Sequence, residues 1–295
     1  MKILFITQYF HPEPFSNNDI AQALVDRGHE VEVVCCVPNY PDGVFYPGYS
    51  NNIKREENWN GIRILRARTI ARGKSPVRLL LNYLAYPVMA LATIWRRGTG
   101  RYDVSFTSMP SPIFQCVTAF VMKVFRGVPA VYWVQDIWPD SLINTIGINN
   151  PLLKRGLHIL CSFLYRRADI VLVQSQAFIH RLELMGVASE RIAFFPNTAP
   201  DDFVPVKRDE VDPAIAMLLP PARLRLMFAG NVGESQNLDL IVQAAKHLRS
   251  KLDIQWVIVG SGRYLQRIQK KATELGVDDI IAFVGRHPMA SMPSF

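Results

Sequence analysis

Asp136 stands in the run Val131-Tyr132-Trp133-Val134-Gln135-Asp136-Ile137-Trp138-Pro139-Asp140-Ser141, just past a short apolar stretch and between two tryptophans. A carboxylate so placed can hydrogen-bond a polar ligand between aromatic walls; Asp136 or Asp140 can equally cap the following turn. The segments Gly230-Asn231-Val232-Gly233-Glu234-Ser235-Gln236-Asn237 and Gly260-Ser261-Gly262 also follow apolar runs. Glycines there admit close backbone approach, and the amides of a following helix can hold a diphosphate; a plain capped turn leaves the same pattern. A third polar segment, Gln8 to Asp19, carries His11, Ser16 and Asn17 and no glycine. Ser16 or Asn17 serves there either as a helix cap or in a site for phosphate or an acceptor sugar.

Other chemistries lack their signatures. The chain has no Gly-x-Gly-x-x-Gly in its first loop, no Gly-x-x-x-x-Gly-Lys-Ser/Thr, no Tyr-x-x-x-Lys and no Asp-x-Asp. Nicotinamide dehydrogenases, P-loop enzymes, sugar-nucleotide epimerases and a carboxylate-held metal nucleotide are thereby disfavoured. No metal is expected: the four cysteines, Cys35, Cys36, Cys116 and Cys161, lie in apolar surroundings without zinc spacing, as in a reducing compartment. Nucleic acid is a poor competitor as a partner and none is expected, since no helix-turn-helix, RNA-binding or zinc signature occurs.

These residues need elements to position them, and apolar strand runs alternate with helical patterns along the 295 residues. Strands are expected at Ile3–Thr7, Val31–Val37, Ile62–Ala67, Val104–Thr107, Ala130–Val134, Ile170–Gln174 and Ile192–Phe195. Helices are expected at Asn18–Arg27, stopped by Gly28, and at Val77–Arg96, Ile113–Phe125, Leu152–Arg167 and Gln176–Met185. Strict alternation implies an α/β fold with a mostly parallel, doubly covered sheet. Residues 199–224 are proline-rich and read as a linker between a domain at 1–198 and one at 225–295. Alternation restarts in the second domain with strands Arg225–Ala229, Gln255–Val259 and Ile280–Val284 and helices Leu238–Lys251 and Tyr264–Glu274. Three strands are few for a nucleotide-binding half, so this domain is expected to be incomplete and the chain a truncated piece of something longer.

The formal charge is +8, and the excess is local: residues 1–200 hold 21 basic and 14 acidic side chains, residues 201–295 hold 12 and 11. Between Lys54 and Arg101 eleven basic residues, among them Arg72, Lys74, Arg78, Arg96 and Arg97, face only Glu56 and Glu57. Inside that stretch, Leu79 to Trp95 runs uncharged for 17 residues, broken by Asn82 and Pro87. It is short for a membrane span. It reads either as a core helix or as one lying on an anionic bilayer, where each nearby Lys or Arg adds on the order of 1 kcal/mol. The N-terminal apolar run is too short for a signal-peptide core and reads as a buried strand in a cytosolic protein.

In order and spacing the sequence resembles glycosyltransferase family 4 over essentially its whole length. The resemblance rests on Met1-Lys2-Ile3-Leu4-Phe5-Ile6 with the long loop after it, Gly28-His29-Glu30-Val31, Gln135-Asp136-Ile137-Trp138-Pro139 and Phe195-Pro196-Asn197. It continues through Phe228-Ala229-Gly230-Asn231-Val232-Gly233, Val259-Gly260-Ser261-Gly262 and Phe283-Val284-Gly285. The Gly-Asn-x-Gly-x-x-Gln form looks like the bacterial surface-polysaccharide branch, with O-antigen and colanic-acid transferases, some of which use N-acetyl-fucosamine. The resemblance implies two facing Rossmann-like doubly wound domains and metal-independent transfer of sugar from a nucleotide-diphosphate donor with retained anomeric configuration. It implies no cofactor. The donor, UDP-linked by preference, would lie mainly on the second domain, near Gly230, Asn231, Gly233, Gln236, Gly260 and Gly262, with Ser16 and Asn17 from the first. The acceptor, a polyprenyl-diphosphate-linked glycan, would lie on the first domain near His11 and the basic residues Arg72, Lys74, Arg78, Arg96 and Arg97. Asp136 is the expected catalytic contact.

The sequence departs from the family pattern in four places. Ser16 and Asn17 replace a Gly-Gly pair, Asn231 and Gln236 replace an Arg and Lys diphosphate clamp, and Gln135-Asp136 replaces His-Asp. Neutral amides supply less charge stabilisation than a cationic clamp. The family's Glu-x7-Glu segment would fall beyond Phe295, so the competing reading is an inactive remnant or a membrane-associated binding module lacking half the donor site.

Overall fold

The structure is a computed structural model, and it describes residues 1–295 except 41, 73–75, 110–111, 147, 200–202, 208, 220–223 and 252. The chain divides into two compact α/β units, Met1–Thr198 and Ala199–Phe295.

The first unit runs β1 (Lys2–Ile6), α1 (Ser16–Asp26), β2 (Glu30–Cys36), β3 (Glu56–Trp59), β4 (Ile62–Ala67) and α2 (Pro76–Arg97). It continues with β5 (Val104–Met109), α3 (Gln115–Arg126), β6 (Ala130–Val134), α4 (Asp140–Ile146), α5 (Pro151–Tyr165), β7 (Ile170–Val173), α6 (Ala177–Leu184) and β8 (Ile192–Phe194). Its eight strands lie in the order β3-β4-β2-β1-β5-β6-β7-β8, all parallel except the β3–β4 pair. The central strands are continuous apolar runs because both faces are covered: Leu4, Ile6 and Val34 belong to one buried cluster, and Ile3, Phe5 and Val33 to another. Strand order reverses beside β1, whose neighbours are β2 and β5, and such a reversal opens a crevice at the carboxyl ends of the strands. Gly28, at φ 80°, takes the left-handed position that ends α1.

The hairpin strand β3 is absent from the sequence-based expectation, because Glu56-Glu57-Asn58 carries no apolar period. Ion pairing draws it to the edge instead. Arg63 meets Glu56 and Glu32 at 2.6 Å each, and Arg66 pairs with Glu57. Arg66 is fully buried and also donates to the carbonyls of Cys36, at 3.3 Å, and His11, as a buried guanidinium requires. The basic excess between Lys54 and Arg101 is therefore not all a surface patch.

The second unit holds α7 (Pro213–Leu218), β9 (Leu224–Ala229), α8 (Asp239–Leu248), β10 (Ile254–Val259), α9 (Leu265–Glu274) and β11 (Ile281–Gly285). Its sheet is parallel in the order β11-β10-β9. The segment expected as a linker contributes α7, capped by the Asp212 side chain on the Ala214 amide with Pro213 in the first turn. Ile215 and Leu219 pack with Val257 and Val259. Proline at a helix start is compatible with the missing N–H, which is why a proline count reads this helix as coil.

Candidate functional site

The residues that follow β1, β5, β6, β7 and β8 in the first unit form one hydrogen-bonded line. Asn17 donates to Thr7 Oγ1 at 2.8 Å and to the Tyr9 carbonyl at 3.1 Å, and its Oδ1 accepts from Ser108 Oγ. Gln135 Nε2 donates to Ser108 Oγ at 3.3 Å, Gln174 Nε2 to the Gln135 carbonyl at 2.5 Å, and Asn197 Nδ2 to Gln174 Oε1. The line is made of amides and hydroxyls, without a formal charge. Thr7, Gln135, Gln174 and Asn197 are each the first polar residue past a strand and Ser108 lies near the end of β5, so parallel register brings these together, while Asn17 joins them from the first turn of α1.

Asp136 sits beside that line, half-buried, with no hydrogen-bond or ion-pair partner among the described residues. Burial raises its carboxyl above the ordinary carboxylate range. The aromatic walls expected around it are absent. Trp133 is 1% exposed, packed on Phe106 and Phe195, with Nε1 donating to the Phe195 carbonyl at 3.3 Å. Trp138 is 4% exposed and packs on Phe114. Strand alternation turns Trp133 inward, and Trp138 fills the core between the sheet and the helices. Asp140 begins α4 and pairs with Arg181 and, at 3.6 Å, with His158.

The loop after β1 differs from expectation in its polar assignments. The N-cap position of α1 is Phe15, with no side-chain bond, so neither Ser16 nor Asn17 is a cap. Asn17 is buried with its amide engaged in the line described above, whereas Ser16 is only partly covered. Asn18 closes the loop: its Oδ1 accepts from the His11 amide at 2.9 Å and its Nδ2 donates to the Glu13 carbonyl at 2.9 Å. His11 stacks on Trp59, centroids 4.6 Å apart, and burial together with nearby Arg66 lowers its imidazole pKa. Glu13 is fully buried; its Oε1 accepts from the Asn39 and Tyr40 amides at 2.8 and 2.7 Å, and its Oε2 has no partner among the described residues. Burial pushes its carboxyl up to about 7, against those hydrogen bonds.

The basic residues expected to gather for the acceptor are divided. Arg72 donates to the Tyr9 hydroxyl at 3.3 Å and lies over the Tyr40 ring, and Arg78 Nε donates to the Ala71 carbonyl at 3.1 Å. Both stand where α2 begins. Arg96 and Arg97 close α2 eighteen residues later, about 27 Å along the axis at 1.5 Å per residue. Lys74 lies outside the described residues.

α2 buries Asn82, Tyr86, Ala90, Thr93 and Ile94 on one face, with the Tyr86 hydroxyl donating to the carbonyls of Thr7 or Val34 at 2.8 and 2.9 Å. Its opposite face exposes Val77, Leu80, Leu81, Leu84, Val88 and Trp95, each between 44% and 69% accessible. By length and composition Val77–Arg97 is apolar enough to cross a membrane, yet one face is built into the core.

In the second unit the structure brings Asn231, Gly233 and Gln236 together. A side chain at Gly233 would meet Asn231 Nδ2 and Gln236 Oε1, each at 2.8 Å. Gly230 and Gly260 are each tied by a backbone hydrogen bond to the neighbouring strand. The Gly230 amide donates to the Val259 carbonyl at 2.9 Å and the Gly260 amide to the Gly285 carbonyl at 2.6 Å. A Cβ on Gly260 or Gly262 would collide with the carbonyls of Gly230 and Val232, so these glycines lock two loops backbone to backbone. The exposed polar surface of the pair is left to Asn231 and Gln236.

Ser108, Gln174, Asn197 and Glu13 are missing from the sequence-based set. Taking the first polar residue past every strand would have found Gln174 and, two residues further past its strand, Asn197. Nothing in the sequence marks Glu13, whose interest lies in its burial.

The Glycosyl transferase 4-like domain family matches residues 16–198, and the family Glycosyl transferases group 1 matches residues 218–295. The Escherichia coli (strain K12) protein WcaI, named as a colanic acid biosynthesis glycosyl transferase, is 24% identical over 308 residues, 96% of this chain and 71% of its own length. The Anabaena protein Alr3699/HepE, solved with UDP and glucose, superposes over 100% of this chain and 71% of its own, with TM-score 0.67 and 15% identity. WaaG, a glycosyltransferase involved in lipopolysaccharide biosynthesis, covers 99% of this chain and 71% of itself at TM-score 0.61 and 14% identity. At these identities the structural likeness establishes the fold, the Rossmann-type architecture of the GT-B glycosyltransferases. The first family match takes in well over half of the chain, and this protein belongs to the glycosyl transferase 4-like family and is a glycosyl transferase.

Proposed function

We propose that this transferase moves a sugar from a UDP-linked donor, of N-acetyl-fucosamine type, to a polyprenyl-diphosphate-linked glycan in bacterial surface-polysaccharide synthesis. The relative assigned to colanic acid synthesis supports the pathway class, and the neighbour solved with UDP and glucose supports the uridine donor. In this reading Asn231, Gly233 and Gln236 contact the donor diphosphate, and the uncharged line from Asn17 to Asn197 serves sugar hydroxyls. Amides and hydroxyls suit a polyol, since every member can both donate and accept. Asp136 is the catalytic contact, a carboxylate with unused acceptor capacity that orients a sugar hydroxyl. Transfer proceeds with retention: the anomeric carbon–oxygen bond to the diphosphate breaks, the acceptor hydroxyl bonds on the same face, and its proton leaves with the diphosphate. No metal is required in this scheme; hydrogen-bond donors meet the charge growing on the leaving group.

The observation that carries the lipid-linked part is α2, which is apolar on the face turned away from the core and basic at both ends. Such a stripe, with Arg78 at one end and Arg96 and Arg97 at the other, suits the cytoplasmic surface of an anionic inner membrane. Sedimentation with anionic vesicles tests it. Leu80→Asp with Leu84→Asp is expected to weaken binding at least about 10-fold; unchanged binding would refute the membrane reading. A titration with UDP and GDP tests the donor, with tighter UDP binding expected.

A further inference from the structure

Arg72 is a partly buried cation with three aromatic neighbours and, among the described residues, no carboxylate. Its Nη1 donates to the Tyr9 hydroxyl at 3.3 Å, its guanidinium carbon lies 5.2 Å from the centre of the Tyr40 ring, and Tyr83 of α2 is near enough to act on its charge. Tyr9 is itself nearly fully buried, stacked on Phe15 at 5.1 Å and against Tyr40 at 5.3 Å. The backbone that presents Arg72 is held at three successive residues. Asn82 Nδ2 donates to the Ile70 carbonyl at 2.6 Å, Arg78 Nε to the Ala71 carbonyl at 3.1 Å, and the Arg72 amide to Asn39 Oδ1 at 3.1 Å. Asn39 is buried and fixed in turn by its Nδ2 on the Val37 carbonyl at 2.8 Å.

Desolvating a guanidinium without an acid is unfavourable, and structures normally supply one, as Glu57 does for Arg66. Arg72 instead keeps N–H donors in the planar geometry that matches phosphate oxygens, with neutral phenols around them. It lies at the carboxyl ends of β1, β2 and β4, the edge where ligands of parallel sheets bind. It also adjoins the first turns of α2, where Val77, Leu80, Leu81 and Leu84 are exposed. A cation at the end of an apolar stripe fits an amphiphile, with its anionic head on the arginine and its hydrocarbon along the helix.

We propose that Arg72, held between Tyr9 and Tyr40, is the subsite for the diphosphate of a prenyl-chain lipid, the head of the acceptor. The assignment rests on the lipid-linked acceptor proposed above. Its test is equilibrium binding of farnesyl diphosphate to the full chain, with farnesol and inorganic pyrophosphate as the other two arms. Farnesyl diphosphate is expected to bind more tightly than either, and Arg72→Gln to weaken it at least about 10-fold, the loss of one charge-assisted contact. Arg72→Lys keeps the charge and is expected to retain part of the affinity, with the thermal midpoint of each variant reporting folding. Equal affinity of wild type and folded Arg72→Gln would overturn the subsite. Pyrophosphate binding as tightly as farnesyl diphosphate would overturn the lipid source in favour of a free anion. Arg72-dependent binding without transfer to any lipid-linked glycan would sustain the subsite while removing the acceptor reading on which it was built.

Discussion

Gln174, the residue after β7, donates its side-chain N–H to the backbone carbonyl of Gln135, the residue after β6, at 2.5 Å. That bond pins the turn carrying Asp136 from the neighbouring strand, so in the proposed reading Gln174 positions that turn besides belonging to the hydroxyl-binding line. Gln174→Leu is expected to lower kcat about 10- to 100-fold through a misplaced contact, with donor KM held within about twofold. A rise in KM of that size with kcat unchanged would refute the positioning role and leave Gln174 to binding alone.

Asp136 has no partner to lose among the described residues, so Asp136→Asn should fold as the wild type does. Steady-state transfer is expected to fall about 100-fold, while UDP affinity measured by calorimetry stays within about twofold. Burial raises the Asp136 carboxyl, and the ionised form accepts the hydrogen bond. Activity is therefore lost as pH falls through a value above the ordinary carboxylate range. A profile flat down to pH 4 would contradict the role.

Glu13 links stability to pH in the opposite sense from a salt-bridged acid. Its carboxyl lies at about 7 in the folded protein against an ordinary 4.5, so the native state binds the extra proton. Its contribution is complete below about 4.5 and is lost as pH rises through about 7, an effect on the order of 3 kcal/mol. Glu13→Gln keeps an oxygen for the Asn39 and Tyr40 amides and removes the ionisation. Urea midpoints at pH 5 and pH 8 should converge in the variant relative to the wild type; identical pH dependence in both would refute the linkage.

Gly262→Ala places a methyl group against the Val232 carbonyl and amide, which are backbone and cannot swing aside. A cost of roughly 1–3 kcal/mol is expected from overpacking, together with weaker UDP binding as the loop bearing Asn231 shifts. A thermal melt reads the first and a UDP titration the second; a neutral substitution would mean the two loops are not locked.

Local chemistry made much of this architecture readable. The apolar run Ile62–Ala67 is a strand at the bounds its composition indicates, and Gly28 ends α1 because only its left-handed backbone can do so cheaply. What stayed hidden depends on partners far along the chain. β3 forms because Arg63 and Arg66 recruit Glu56 and Glu57, and α7 hides behind Asp212-Pro213. The site follows the same division. Asp136 and the Asn231-to-Gln236 loop are visible as polar residues after strands. The inward turn of Trp133, the engagement of Asn17 by Ser108 and the separation of Arg72 from Arg97 appear only once strand register and helix length are known.

Transfer itself is the central claim, and a labelled UDP-sugar supplied with a polyprenyl-diphosphate glycan in anionic vesicles tests it most directly. Label is expected to move to the vesicle-bound lipid with stoichiometric UDP release, cut about 100-fold by Asp136→Asn and weakened by Arg72→Gln. Label confined to free sugar or unreacted donor across a panel of UDP- and GDP-sugars, by protein that binds both vesicles and UDP, would contradict it.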